Sequence, residues 1–143
     1  TVIPFTVPHR DEFSETVGYK ILGKNRSALF IPDIDKWYLW EKSIIEEVKS
    51  VDYAFLDATF FSGEEINRSM SEIPHPFISE TIEIFEDEEL STKNKIYFIH
   101  FNHTNPVLNQ KISLRDSIIK LGFNFAKFGD RYELWLKMIN FTS

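Results

Sequence analysis

Short apolar runs rich in β-branched and aromatic residues predict five strands separated by polar loops. The runs are Val2–Val7, Thr16–Leu22, Ser27–Ile31, Tyr53–Leu56 and Ile96–Phe101. Pro4 has no backbone N–H, so the first strand is expected at a sheet edge or to be irregular. Gly23–Arg26 has the composition of a hairpin turn between the second and third strands.

Helical spacing of apolar residues predicts three helices. A first helix, with Asp35 as a candidate N-cap, would carry on one face Trp37, Trp40, Ile44, Ile45 and Val48. Phe77–Leu90 is a second amphipathic segment with a glutamate-rich outer face. Leu114–Leu121 is a third, and Gly122 would end it.

The remaining segments complete a mixed architecture. Ser62 and Gly63 open a polar stretch that is expected to form a short helix or a lid. Phe123–Ala126 and Tyr132–Leu136 are expected to close the chain as a hairpin around Gly129 and Asp130. Because strands alternate with helices and hairpins add antiparallel pairs, the fold class is predicted to be α/β with α+β character.

Length, charge and cysteine content narrow the classes of function. The chain of 143 residues is enough for one domain or part of one, and its 14 Phe residues could fill a sizeable core. A net charge of −6 argues against an extended nucleic-acid footprint. Without cysteine, disulfides and thiolate zinc sites are excluded, so any metal must be held by His, Asp or Glu. No spanning apolar run or signal-peptide pattern is visible, and we expect a cytoplasmic protein that does not engage a membrane.

Histidines and aspartates follow several of the predicted strands, and one further histidine lies in a loop between two prolines. The candidates are His9, Asp33, Asp57, His75 and His100. Strand ends display site residues in layered α/β folds, and an imidazole–carboxylate set suits Zn²⁺, Fe²⁺ or Mn²⁺. Their wide spacing also fits ordinary loop histidines and carboxylates that cap helices or bind loop amides.

Five ordered segments resemble the C-terminal half of a metallo-β-lactamase-fold hydrolase. They are residues 14–21 after His9, 29–33, 55–60, 74–76 and 99–106, the last reading Ile-His-Phe-Asn-His-Thr-Asn-Pro. The similarity is greatest to the branch of pyrroloquinoline quinone biosynthesis protein B and more distant to ribonuclease Z. It implies an αββα sandwich with the site at one edge of two packed sheets.

The resemblance implies a role for each candidate. His9 resembles the histidine that binds the first metal, Asp33 the aspartate that bridges two metals, and His100 the last histidine, on the second metal. Asp57 and His75 resemble the proton-delivering pair of ribonuclease Z-like members. Zinc is the first expectation, with iron(II) or manganese(II) as alternatives and up to two ions in a complete site. His103 receives no ligand role.

The first-half metal signature of the family, His-x-His-x-Asp-His, does not occur in this sequence. Together with the immediate entry into a strand after Thr1, this gives the expectation that residues 1–143 are the C-terminal half of a single domain. The partner would be the missing half or a second copy of the chain.

The resemblance implies a metal-dependent hydrolase whose metal-bound hydroxide attacks an ester, amide or phosphodiester in a small-molecule or peptide-derived substrate. One alternative is an oxidative enzyme similar to pyrroloquinoline quinone biosynthesis protein B. Another is a non-catalytic domain that keeps the fold without a complete site.

Overall fold

A computed structural model describes residues 1–10, 13–65, 74–109 and 113–135. These residues contain one six-stranded sheet whose spatial order is the order of the chain. Its strands are β1 (Val2–Val7), β2 (Thr16–Leu22), β3 (Ser27–Ile31), β4 (Tyr53–Asp57), β5 (Ile96–Ile99) and β6 (Asn124–Phe125). β1, β2 and β3 pair antiparallel, and β3 to β6 pair parallel. The five predicted strands are therefore confirmed.

β1 is an edge strand, as Pro4 predicted. Thr1 and Leu22 exchange two backbone hydrogen bonds of 2.8 Å, and partners in an antiparallel pair alternate between bonded and non-bonded positions. Ile3 therefore bonds towards β2, whereas Pro4 lies at an outward position where no N–H is needed. The proline fits the edge and leaves it without one donor for further pairing.

Among the described residues, four short α-helices lie between the parallel strands. They are α1 (Ile44–Lys49), α2 (Ile78–Ile84), α3 (Leu90–Lys93) and α4 (Leu114–Lys120). α4 confirms the third predicted helix, and Gly122 follows it with a φ of 101°. Glycine tolerates this left-handed conformation, so it can end the helix where sequence predicted. Gly63–Glu65 forms a single 3-10 turn in the polar stretch after Ser62, and residues 66–73 lie outside the described chain.

The first predicted helix is wrong in extent. Trp37–Leu39 is only a 3-10 turn, Trp40 is extended, and α1 begins after Ser43, whose hydroxyl accepts from the backbone N–H of Glu46. Asp35 does not cap a helix, because its carboxylate binds His9 instead. The Trp37 indole N–H donates to Thr81 Oγ1 of α2 at 2.9 Å, a tertiary contact that helical periodicity does not predict. Both tryptophans are nevertheless buried, as expected of core residues.

The second predicted helix, Phe77–Leu90, is too long: α2 ends at Ile84, and the separate α3 begins only at Leu90. Glu86, Asp87, Glu88 and Glu89 lie between them. Negative charge is unfavourable at the C-terminal end of a helix, where the backbone carbonyls already carry partial negative charge. The chain turns there, and Lys93 Nζ donates to the Glu86 carbonyl at 2.7 Å.

The predicted closing hairpin is also wrong within the described residues. Asn124 and Phe125 pair in parallel with Tyr97 and Phe98 of β5, after the α4 crossover. The later segment instead runs to the β2–β3 turn, where the Leu134 carbonyl accepts backbone N–H groups of Asn25 and Arg26 at 3.3 Å. Leu136, the last residue of the predicted hairpin, lies outside the described residues.

The two faces of the sheet differ. One face packs against the helices in a core that contains Leu29, Ile31, Leu56, Ile96 and Phe98 from the strands, and Ile44, Val48, Ile78 and Ile118 from the helices. The other face carries a row of ring contacts that joins Phe30, Phe55, Tyr97 and Tyr132. No helix within the described ranges is long and apolar enough to cross a membrane.

Phe98→Ala is expected to lower the free energy of unfolding by about 3–5 kcal/mol, because the ring is fully buried in the strand–helix core. Phe128→Ala is the matched control, since that ring is fully exposed, and should change stability by less than about 0.5 kcal/mol. Urea unfolding checks both. Equal losses would contradict the described core.

Candidate metal centre

Strand direction brings the candidate side chains to one edge of the sheet. β1 runs in the same direction as β3, because both pair antiparallel with β2, and β4 and β5 are parallel to β3. His9 follows β1, Asp33 follows β3, Asp57 ends β4, and His100 follows β5. All four residues therefore lie at the C-terminal ends of strands that point the same way.

His75 reaches this edge from the loop before α2. Phe60 and Phe77 form an isolated parallel bridge on either side of that loop and hold its ends together. Ligand atoms of Asp33, Asp57, His75 and His100 all lie within 4.8 Å of one another. His9 contacts this group through Asp33, and its ring centroid is 5.5 Å from that of His75.

His9 and Asp33 face each other without a hydrogen bond. His9 Nδ1 lies 3.0 Å from Asp35 Oδ1, so the neutral ring carries its proton there and presents a bare Nε2. That Nε2 is 3.3 Å from Asp33 Oδ1, a buried oxygen with no hydrogen-bond partner. Two lone-pair atoms at this distance repel each other, and either a proton on Nε2 or a metal ion between them relieves that repulsion.

This donor set fits a divalent metal ion. Buried polar atoms in folded proteins normally have a partner, so the orphaned Asp33 oxygen is unusual. Two ligands on a tetrahedral ion with bonds of about 2.0–2.1 Å are themselves about 3.3 Å apart. The Asp33–His9 separation of 3.3 Å matches that edge. Imidazole with carboxylate, and no thiolate, suits zinc, iron or manganese.

Asp57 is fully buried and its hydrogen-bonding capacity is already used. Asp57 Oδ1 accepts hydrogen bonds from the backbone N–H of Thr59 at 2.9 Å and from the Thr59 hydroxyl at 2.6 Å. Asp57 Oδ2 accepts the backbone N–H of Ile34 at 3.3 Å. His75 Nδ1 lies 2.8 Å from Oδ2. Burial alone would raise the pKa of the Asp57 carboxyl, but the imidazoles of His100 and His75 and the Thr59 hydroxyl hold that pKa below its usual value.

His100 is the most exposed member of the group, with a side-chain exposure of 47%. The Asp57 carboxylate raises the pKa of His100 more than partial burial lowers it. The residue has a φ of 61°, which ends β5 at Ile99 instead of the predicted Phe101. A non-glycine residue in this region is strained, and such strain concentrates at functional sites.

The loops after β4 and β5 are tied together by Asn105. Its buried amide donates to the Ala58 and Thr59 carbonyls at 2.9 and 3.2 Å, and its Oδ1 accepts from Val107 N–H. Asn102 N–H adds a bond of 2.9 Å to the Thr59 carbonyl. The segment that carries His100 is thereby fixed against the segment that carries Asp57.

The five predicted site residues meet at this edge, and their individual roles stay predictions. Two participants were missed. Asp35 was assigned to a helix cap. It follows Asp33 by two residues, and its carboxylate orients His9. Thr59 received no role, although it follows Asp57 by two residues and contacts both His75 and His100. His103 is exposed, and its backbone N–H donates to Asn102 Oδ1.

Comparisons with known proteins identify the family of this chain. Residues 1–101 match the family described as the beta-lactamase superfamily domain. Coenzyme PQQ synthesis protein B of Gluconobacter oxydans (strain 621H) is 25% identical over 126 residues, which are 84% of this chain and 40% of that protein. The resemblance inferred from sequence is confirmed.

The crystal structure of Zn²⁺-bound PqqB from Methylobacterium extorquens has a TM-score of 0.64 to this chain at 19% identity. The match covers 87% of this chain and 47% of that one, so the chain spans less than half the length of both relatives. The structural likeness shows a shared fold and confirms the predicted α/β fold class.

The strain at His100 predicts an unusual order of stabilities. His100→Gly should be more stable than His100→Ala by about 1 kcal/mol, because a Cβ atom is disfavoured at positive φ and glycine is not. At Ile99, one residue earlier in the extended strand, the order should reverse. Urea unfolding of the four variants measures both differences. A more stable His100→Ala would show that the backbone there is unstrained.

Proposed function

This chain belongs to the beta-lactamase superfamily, and on that premise we propose that it carries metal-binding and proton-delivering residues of a metal-dependent hydrolase. The observation that carries the proposal is the 3.3 Å approach of the unpartnered Asp33 Oδ1 to His9 Nε2, beside the buried Asp57–His75 pair. The first pair fits a cation, and the second fits a proton donor.

His9, Asp33 and His100 are the residues that would hold up to two metal ions. Zinc is our first expectation, and iron(II) or manganese(II) would suit the same ligands. A divalent ion held by these residues would lower the pKa of a bound water and polarise the bond to be cleaved. Asp35 keeps the proton of His9 on Nδ1, so that Nε2 stays available as a ligand.

His75 would deliver the proton that the leaving group needs. Asp57 holds the His75 Nδ1–H at 2.8 Å, which orients the ring and turns Nε2 away from the carboxylate. Because the pKa of Asp57 is lowered, this carboxylate stays ionised at neutral pH and remains an acceptor for the His75 Nδ1–H. In hydrolysis water adds across the ester, amide or phosphodiester, and the departing oxygen or nitrogen takes its proton from His75.

A second candidate is an oxidative role on a peptide-derived precursor, and the likeness to two PqqB proteins favours it. The same ligands would then hold iron. The two candidates differ in their need for oxygen, since a hydrolase turns over equally well under argon and an oxidative enzyme does not. In either case the substrate is proposed to be a small molecule or peptide-derived.

The proton-delivery role predicts a dependence on the leaving group. His75→Gln should lower kcat/KM by about 10²–10⁴-fold for esters or phosphodiesters with alkyl alcohol leaving groups. Substrates that release p-nitrophenol should be much less affected, because that group departs without a proton. The comparison uses the zinc-, manganese- and iron-loaded protein, with His103→Gln as the matched histidine control.

Equal losses on both kinds of substrate would remove His75 from proton delivery. Failure of the wild-type protein to cleave any ester, amide or phosphodiester with each of the three metals would reject the hydrolase proposal. Oxygen consumption with a peptide-derived substrate under iron loading would then favour the oxidative candidate.

A further inference from the structure

The Thr59 hydroxyl lies between three residues of the candidate metal centre, Asp57, His75 and His100. Its Oγ1 is 2.6 Å from Asp57 Oδ1, 3.1 Å from His100 Nδ1 and 3.3 Å from His75 Nδ1. The residue is 9% exposed, so water does not compete freely for these contacts. One hydroxyl thus touches the buried carboxylate and both imidazoles.

The Thr59 hydroxyl has a single hydrogen, and its three contact distances identify the atom to which it donates. An ionised carboxylate can only accept, so the 2.6 Å contact requires Thr59 to donate to Asp57. The backbone N–H of Thr59 donates to the same oxygen at 2.9 Å and holds the hydroxyl in this orientation. Towards the two imidazoles, therefore, Thr59 Oγ1 can act only as an acceptor.

The proton positions on the two rings follow from this direction. His75 Nδ1 has Asp57 Oδ2 at 2.8 Å as its nearer acceptor, so its proton points there. His100 Nδ1 has Thr59 Oγ1 at 3.1 Å, whereas Asp57 Oδ1 is 3.6 Å away. A favourable contact between His100 Nδ1 and an oxygen that cannot donate requires a hydrogen on Nδ1. The neutral His100 ring then has its lone pair on Nε2.

We propose that Thr59 is a positioning residue that fixes the tautomer of His100, with the proton on Nδ1 and the lone pair on Nε2. The Asp57 carboxylate accepts the Thr59 hydroxyl hydrogen, and the hydroxyl oxygen in turn accepts the Nδ1–H of His100. Only the consequence rests on the proposed function: Nε2 of His100 becomes the nitrogen that is free to bind a metal ion. The tautomer is a property of the metal-free protein.

The test is the ¹⁵N NMR spectrum of His100 in metal-free protein at alkaline pH, where the ring is neutral and the protonated nitrogen is directly identified. Wild type and Thr59→Ser should show the proton on Nδ1, because both keep the hydroxyl. Thr59→Val has nearly the same shape without the hydroxyl and should shift His100 towards the tautomer with the proton on Nε2. Thr81→Val, which removes a buried hydroxyl in the helix layer, should leave His100 unchanged.

A wild-type spectrum with the proton of His100 on Nε2 would overturn the proposal, and this measurement needs no variant. An unchanged Nδ1–H tautomer in Thr59→Val would overturn it as well. Binding of Zn²⁺ alone, in competition with a chromophoric chelator, gives a second readout. Thr59→Val should weaken it about 10–100-fold and Thr59→Ser should restore it. If wild type shows the expected tautomer but binds no zinc, the proposed function fails and the assignment to Thr59 stands.

Discussion

The site depends on the hydrogen bonding of one buried carboxylate. Asp57 has no exposed surface, and an isolated charge in that position would be prohibitively unfavourable. Its donors come from separate parts of the chain: Ile34 after β3, Thr59 after β4, and His75 before α2. Removing one partner of a buried charge is strongly destabilising. The three segments that carry these donors are therefore held together around Asp57. The positions of the other site residues follow from that meeting.

Sheet topology decides which residues can meet there. Parallel pairing of β3, β4 and β5 brings Asp33, Asp57 and His100 to one edge, and the β1–β2–β3 meander returns His9 to the same edge. The buried Asn105 amide locks the two central loops together, and His100 accepts a strained φ of 61° in that setting. The helix-side core supplies the rigidity for this geometry, whereas the site itself is made of loops at strand ends.

Strands and site residues were predictable because their signals are local. A short apolar run followed within two residues by Asp or His predicts both a strand and a polar side chain at its end, as at β3 and Asp33 or β5 and His100. The helix around Trp37 and the closing hairpin were mispredicted because tertiary contacts overrode periodicity: an indole bond to Thr81 and parallel pairing after α4. The roles of Asp35 and Thr59 depend on which imidazole lies beside each of them. Which side chains lie next to each other is known only once the fold is known, so these two roles could not be predicted from the sequence.

Whether this edge of the sheet holds a metal ion is tested most directly by the metal content of the purified protein. The wild-type protein and Asp33→Asn should be compared by elemental analysis, with Asp116→Asn, an exposed carboxylate on α4, as the matched control. We expect stoichiometric zinc, iron or manganese in the wild type and the control. We also expect a large loss in Asp33→Asn, because an amide cannot replace the orphaned carboxylate oxygen. Metal-free protein in all three samples, or equal metal in all three, would contradict a metal site at this edge.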